Sequence, residues 1–299
     1  MSRLALGIDI GGTKILVGLV DEAGTVHAQH RVATPAAEGG EAVLRAVIDV
    51  ARTLLSTTDL RPDACGVGTA GVVDTTGTVV SATDLLPGWV GLRLADRLAE
   101  AFGLNTVVLN DVHATAVCEA RLGAARGYGS ALIVALGTGI GGALIRGGRL
   151  DPGRTGIAGS IGHVLAPLHR GAVCSCGAPD HIEAYASGPA IEAEYAARSG
   201  RVLDLRSIAA RDDELARQVI AEAGEALGGT IGTAVNLLDG DIVVIGGGVA
   251  EIGEPLIRAV GAGLRRHALP PARNVPVALP RHRTDSCLIG AASAALGGV

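Results

Sequence analysis

The chain opens on a stretch that leaves little choice in how it folds. Leu4-Ala-Leu-Gly-Ile-Asp-Ile10 is an apolar run broken by Asp9; Gly11-Gly-Thr-Lys14 follows, and Ile15-Leu-Val-Gly-Leu-Val20 resumes the apolar pattern. This reads as strand, tight turn, strand. Gly11 and Gly12 allow positive φ and close approach of a ligand, and Thr13 and Lys14 carry donors suited to phosphate oxygens. Asp9, at a strand end, can hold a magnesium ion through water. An ordinary hairpin turn is the competing reading.

A second copy of the pattern weighs against that bland reading. Ala131-Leu-Ile-Val-Ala-Leu136 leads into Gly137-Thr-Gly-Ile-Gly-Gly142, and Ala143-Leu-Ile145 continues as β-like sequence. Two such turns, one near the start and one near the middle, suggest a duplicated fold closing on one nucleotide. Gly137, Gly139 and Gly142 also match G-x-G-x-x-G, as do Gly66, Gly68 and Gly71. The dinucleotide fingerprint, however, needs a helix after its glycines, and β-like sequence follows both sets. No G-x-x-x-x-G-K-[ST] occurs either. Phosphates, if bound, are expected at hairpin turns.

The totals narrow the class. At 299 residues the chain can form two domains, and 48% hydrophobic residues can fill their cores. With 2% aromatics and 45 glycines, those cores must be built from Ala, Val, Leu and Ile around many close turns. A net charge of -5 gives no general attraction to nucleic acid. No apolar run reaches the roughly 18 residues of a membrane span, and the first residues are too short for a signal peptide, so a cytoplasmic location without a membrane partner is expected.

Strand and helix alternate through the first third. Glu41 to Leu55 has helical spacing, Gly66-Val-Gly68 reads as a strand, Leu92 to Phe102 as a helix and Thr106 to Leu109 as a buried strand. That strand ends in Asn110-Asp111, where Val112 to Leu122 begins a helix. A carboxylate there sits where ligands bind in α/β sheets, although Asp and Asn also serve as helix N-caps. Residues 149–183 read as loop. Pro189 to Arg198 and Asp213 to Leu238 then read as helices, Asp241 to Ile245 as a strand, and Glu254 to His267 as a helix. Gly246-Gly-Gly248 can admit adenine and ribose or be a tight strand-to-helix turn. Val275 to Leu279 and Leu288 to Leu296 close the chain as strand and helix. The expected domains are residues 1–112, completed by a C-terminal helix in 285–299, and residues 113–284, with a loop over 159–183.

Five cysteines, two of them spaced C-x-C, favour a metal over disulfides. His163, Cys174, Cys176 and His181 form H-x10-C-x-C-x4-H, a donor set for tetrahedral zinc in a structural site, with His169 competing for a place. Surface thiols beside unrelated histidines are the alternative. Cys65, Cys118 and Cys287 read as buried small apolar residues.

Taken together, Asp9-Ile-Gly-Gly-Thr-Lys14, Asn110-Asp111, Leu136-Gly-Thr-Gly-Ile-Gly-Gly142, Gly162-His163, Cys174-Ser-Cys-Gly177, Glu183 and Ser187-Gly-Pro189 resemble the ROK family of bacterial sugar kinases and related repressors. The resemblance spans nearly the whole chain. It implies an α/β, two-domain actin-like (ribonuclease H-like) ATPase fold and transfer of phosphate from ATP to the primary hydroxyl of a hexose, with glucose the commonest family substrate. It implies Asp111 as the base, and Asn110, His163 and Glu183 as binders of ring hydroxyls, with Ser160 and Gly71 beside them. Asp9, Gly11, Gly12, Thr13, Lys14, Gly137, Thr138 and Gly139 would face the phosphates and magnesium, and Gly246 and Gly247 the rest of the nucleotide. ATP, Mg2+ and a structural Zn2+ are the implied cofactors, and a homo-oligomer, dimer or tetramer, is expected by analogy.

Two departures from the family pattern stand out. His181 occupies a place where the family's zinc loop has a cysteine, and Ser160-Ile-Gly-His163 replaces the usual Glu-x-x-His. Loss of that carboxylate opens the substrate reading to amino or substituted sugars, such as kanosamine, an N-acyl hexosamine or a C7 cyclitol. The family's repressors carry a helix-turn-helix ahead of the first hairpin; here the hairpin begins at residue 4, and the acidic balance also argues against DNA.

Overall fold

The computed structural model describes residues 2–82, 87–211, 213–282 and 284–298. In chain order the elements are β1 (Leu4–Ile10), β2 (Lys14–Asp21), β3 (Val26–Ala33), α1 (Gly40–Ser56), β4 (Ala64–Thr69), β5 (Val72–Val73), β6 (Val79–Ser81), α2 (Leu94–Phe102), β7 (Thr106–Asn110) and α3 (Asp111–Arg121). There follow β8 (Ser130–Leu136), β9 (Ile140–Arg146), β10 (Arg149–Asp151), α4 (Glu183–Ala186), α5 (Gly188–Ser199), α6 (Leu205–Ala209), α7 (Glu214–Leu238), β11 (Ile242–Gly246), α8 (Glu254–His267), β12 (Val277–Ala278) and α9 (Ser286–Ser293).

The chain divides into two compact units, residues 1–127, 144–158 and 281–299 in one, and 128–143 with 159–280 in the other. The expected boundary at residue 112 therefore falls inside the first unit, because α3 packs on α9 and β4 there. Residues 144–158, expected in the second domain, are also grouped with the first unit.

The first unit is built on a sheet of order β3-β2-β1-β4-β7. β1 pairs antiparallel with β2 and parallel with β4, and β4 pairs parallel with β7. Successive side chains of a strand point to opposite faces, and here both faces are covered. Leu6, Ile8 and Ile10 pack with Val43, Val47, Leu54, Leu94 and the fully buried Trp89, while Ala5, Leu16 and Val20 pack with Leu288, Ile289 and Ala292 of α9. Burial on both faces is why β1 reads as a continuous apolar run. α9 comes so close that a Cβ on Gly66 would collide with the Ala291 backbone, and one on Gly68 with the Cys287 sulfur. Two glycines of the Gly66-x-Gly68-x-x-Gly71 match are thus packing residues of β4.

One buried carboxylate ties two distant parts of this unit together. Glu119 of α3 is fully buried and accepts the backbone N–H groups of Ala124 at 2.7 Å, Arg281 at 3.1 Å and His282 at 3.3 Å. The bonded groups lie beside the points where the chain passes to the second unit and returns.

The second sheet has the order β10-β9-β8-β11-β12. Counted along the chain within each sheet, both orders read third, second, first, fourth, fifth, the duplication expected from the paired glycine turns. β11 pairs parallel with β8 and β12. The 25-residue α7 packs on α8 through small residues: a Cβ on Gly224 would lie 2.7 Å from Ala259 Cβ, and one on Gly232 2.8 Å from the Leu264 carbonyl oxygen. Among the described residues no helix is long and apolar enough to cross a membrane.

Several local expectations need correction. β3 is not among the expected elements: its residues are mostly exposed, and the alternation of Val26, Ala28 and Val32 is interrupted by His30. The strand expected over Val275 to Leu279 shrinks to Val277–Ala278, since the flanking Pro276 and Pro280 lack the N–H a longer ladder needs. The expected loop 149–183 holds β10 and a 3-10 turn, Ile161–His163. A further 3-10 segment, Gly248–Ile252, separates the Gly246-Gly-Gly248 turn from α8. The last helix runs from Ser286 to Ser293 and passes into a π-turn over Ala294–Gly298, with Val299 outside the described residues.

Candidate functional site

In the first unit the candidate residues gather at the carboxyl ends of the parallel strands β1, β4 and β7, where α/β sheets place ligands. Asp9 pairs across to Gly68, and Thr69 to Asn110. The cap question at α3 resolves in favour of Asn110, whose Oδ1 accepts from Val112 N–H at 2.9 Å and His113 N–H at 3.3 Å while Nδ2 donates to the Gly71 carbonyl at 2.8 Å. Asn110 thereby keeps one amide hydrogen for any ligand. Asp111 is the first residue of the helix rather than its cap, and accepts from Val112 N–H at 2.9 Å.

Burial, aided by the negative charge of Asp9, pushes the Asp111 carboxyl up to about 6, against the pull of the Val112 N–H. Burial likewise raises Asp9, while a hydrogen bond from the Cys287 thiol and the charge of Lys14 lower it. Cys287 packs against Gly68 and is half-buried, and beyond that expected filling role its thiol donates to Asp9; burial and the charges of Asp9 and Asp111 hold the thiol well above its usual range, so it stays neutral. Nothing local in the sequence signals that contact, which joins α9 to the end of β1.

The β1–β2 turn is closed by Gly11 N–H donating to the Lys14 carbonyl at 3.0 Å and by Thr34 Oγ1 donating to the Gly11 carbonyl at 2.7 Å. Neither Gly11 nor Gly12 uses the positive φ that glycine allows. Their value is access: a Cβ on Gly12 would meet no atom within 4 Å, and Gly12, Thr13 and Lys14 are exposed.

In the second unit the β8–β9 turn is closed by Gly137 N–H donating to the Gly139 carbonyl at 2.9 Å, and Thr138 at its tip is exposed. Gly139 is glycine for a specific reason, since a Cβ there would lie 2.7 Å from Oε2 of Glu183. That oxygen accepts the Ile140 N–H at 2.9 Å, and Oε1 accepts the Ser175 hydroxyl at 2.5 Å. Burial raises the Glu183 carboxyl, but the bonds from Ser175, Ile140 and Cys174 and the charge of His163 bring it below its usual range. Gly247 has φ of 89°, and a Cβ there would strike the Leu136 backbone; Gly246 packs on Pro280. Gly247 thus has a structural reason to be glycine, whereas a Cβ on Gly246 would be a tight 3.1 Å from Pro280 Cγ.

The four metal candidates come together in this unit. One ligand atom from each of His163, Cys174, Cys176 and His181 falls in a group no more than 4.8 Å across. Cys174 Sγ is 3.6 Å from His163 Nδ1, and Cys176 Sγ is 3.2 Å from His181 Nδ1. Zinc bonds of about 2.0–2.3 Å in a tetrahedron need ligand separations of roughly 3.3–3.8 Å, so two thiolates and two imidazoles fit that ion with small adjustment. The loop is shaped by the bridges Leu165↔His181 and Val173↔Pro179 and by Gly177, whose φ of 87° suits the turn back to Cys174. His169 stands apart from the cluster, 4.0 Å from Asp180. Ser160 precedes the 3-10 turn, its carbonyl accepting the His163 N–H at 3.1 Å.

Comparison with known proteins adds to this geometry. The ROK family model matches residues 5–297. An N-acetylmannosamine kinase of Yersinia pestis is 32% identical over 292 residues, covering 96% of each chain. Among solved structures, a ROK hexokinase from Thermus thermophilus matches with a TM-score of 0.87 at 32% identity, over 99% of this chain and 98% of the other. A ROK family glucokinase from Streptomyces griseus, in complex with glucose and AMPPNP, matches with a TM-score of 0.84 at 30% identity, over 98% and 99%.

Proposed function

Since the chain belongs to the ROK family, with the actin-like ATPase fold of its sugar kinases, we propose that it is a sugar kinase that transfers the γ-phosphate of ATP to the primary hydroxyl of a hexose or amino hexose. The observation that carries the reading is Asp111, a carboxylate at a strand end whose burial raises it to about 6. A general base works best with a pKa near the working pH.

In this proposal Asp111 accepts the proton of the sugar hydroxyl as that oxygen attacks the γ-phosphorus and ADP leaves. Phosphoryl transfer depends chiefly on positioning and charge stabilisation, with little covalent work for the protein. Thr13, Lys14 and Thr138, with the backbone of Gly11, Gly12, Gly137 and Gly139, are the proposed phosphate contacts, and Gly246 and Gly247 flank the nucleoside. Asp9 would hold magnesium through water, and the ion would neutralise charge on the β- and γ-oxygens. Glu183, the remaining hydrogen of Asn110, and Nε2 of His163 are the proposed partners of ring hydroxyls, with Gly71 and Ser160 beside them. His163 would reach zinc through Nδ1, completing the set with Cys174, Cys176 and His181.

The substrate divides the named relatives: one phosphorylates N-acetylmannosamine by name, and another is a glucokinase bound to glucose. Ser160, where the family pattern has Glu, favours testing amino sugars with the same weight as glucose. ATP consumption across glucose, mannose, N-acetylmannosamine, N-acetylglucosamine, kanosamine and a C7 cyclitol is the direct test. A dominant hexose or amino-hexose signal supports the reading, and silence across the panel overturns it.

A further inference from the structure

Glu183 is gripped from two sides, and one grip is a single hydroxyl. Its Oε2 accepts the Ile140 N–H at 2.9 Å, and its Oε1 accepts the Ser175 hydroxyl at 2.5 Å with the Cys174 sulfur at 3.3 Å. The carboxylate is buried, yet Ser175 itself is exposed. The hydroxyl is delivered by a tight turn in which Gly177 N–H donates to the Cys174 carbonyl at 2.8 Å.

We infer that Ser175 is a positioning residue: its hydroxyl fixes the plane of the Glu183 carboxylate and so sets the affinity for sugar. This rests on the kinase reading above. An ionised carboxylate has about four lone-pair sites, of which Ser175 and Ile140 occupy one on each oxygen. The remaining pair is left for donors of a polyol, held in one orientation because rotation about the last side-chain bond would break both grips. When Cys174 binds a metal as thiolate it has no proton to give, and Ser175 remains the O–H donor on Oε1. A backbone N–H alone, on the other oxygen, would leave that orientation loose.

A hydrogen bond to a charged group that is removed from one side only is costly, so the expected effect is large enough to read. Ser175→Ala should raise the KM for the sugar by ~10-fold, with the KM for ATP changed less than about twofold, because the Ile140 bond that joins Glu183 to the β8–β9 turn survives. Ser175→Thr keeps the hydroxyl, and its extra methyl is carried at an exposed position, so it should restore the sugar KM. Bound zinc, measured on the same preparations, should match that of the unaltered protein in both variants, while the melting temperature should fall only in Ser175→Ala, by the few degrees that a lost hydrogen bond to a buried carboxylate costs. An unchanged sugar KM in Ser175→Ala, a Thr variant as impaired as Ala, or loss of zinc with the hydroxyl would each overturn the positioning role. No turnover of any sugar by the unaltered protein would instead overturn the kinase reading, and this inference with it.

Discussion

The two groups of candidate residues are held in place by different means. In the first unit, Asp9, Asn110 and Asp111 stand at the ends of β1, β7 and α3, and their positions follow from a sheet buried on both faces. In the second, Ser160, His163, Cys174, Cys176 and His181 come from a loop whose regular structure is a 3-10 turn and isolated bridges. Asp111 inherits its place from a packed core, whereas the loop rests on backbone turns and would be tied further by the proposed zinc. One group should therefore fail chemically when altered, and the other should fail structurally.

The sharpest break in that comparison is Asp111→Asn. Turnover should fall ~10²–10⁴-fold while the fold persists, and a purified variant keeping more than about a tenth of the activity would contradict the assignment. Next in size is removal of the metal. Elemental analysis of protein purified without chelator should find about one zinc per chain, and stripping it should lower thermal stability by several kcal/mol; protein free of zinc yet equally stable would remove the metal from the comparison.

A smaller effect concerns Asp111 and pH. Because burial raises its carboxyl from 3.8 to about 6, the folded state binds the proton more tightly than the unfolded chain. Folding is then penalised above about pH 6 and unpenalised below about pH 4. Asp111→Asn should accordingly be more stable than the parent at pH 8, by up to about 3 kcal/mol, and equally stable at pH 4. Activity of the parent should rise with pH through about 6 as the base ionises; denaturant melts and pH–rate profiles read both effects. Smallest of all, Arg97→Ala removes an exposed pair with Glu41 at 2.9 Å and should leave turnover and melting temperature within error, since exposed ion pairs are screened by solvent.

How much of this could be read in advance follows the same division. The two glycine turns, the strand-end Asp111 and the histidine–cysteine spacing were legible because each is written in a few consecutive or regularly spaced residues. Where the sequence signal was local but its cause was tertiary, the residue was found and the reason missed. Gly11 and Gly12 allow a positive φ that the turn does not use, and Gly139, read only as a phosphate-facing residue, has a second reason to be glycine in the Glu183 carboxylate. Contacts between remote segments left no signal at all. Cys287 reaches Asp9 because α9 crosses β4 at glycines, and the Ser175 hydroxyl reaches Glu183 because a turn folds back on α4. β3 is hard to read for the opposite reason, since its alternation of Val26, Ala28 and Val32 is short, broken by His30 and mostly exposed.

The Glu119 clamp has a consequence for what this chain can tolerate over time. A buried anion matched to a lysine or arginine constrains two side chains at once, and a change in either strands the other. Glu119 instead faces three main-chain N–H groups, which every amino acid except proline supplies. The residues at 124, 281 and 282 can therefore drift through most of the amino-acid alphabet without loosening the stitch, while position 119 itself admits little change. The cost of keeping two distant segments joined is concentrated in one codon.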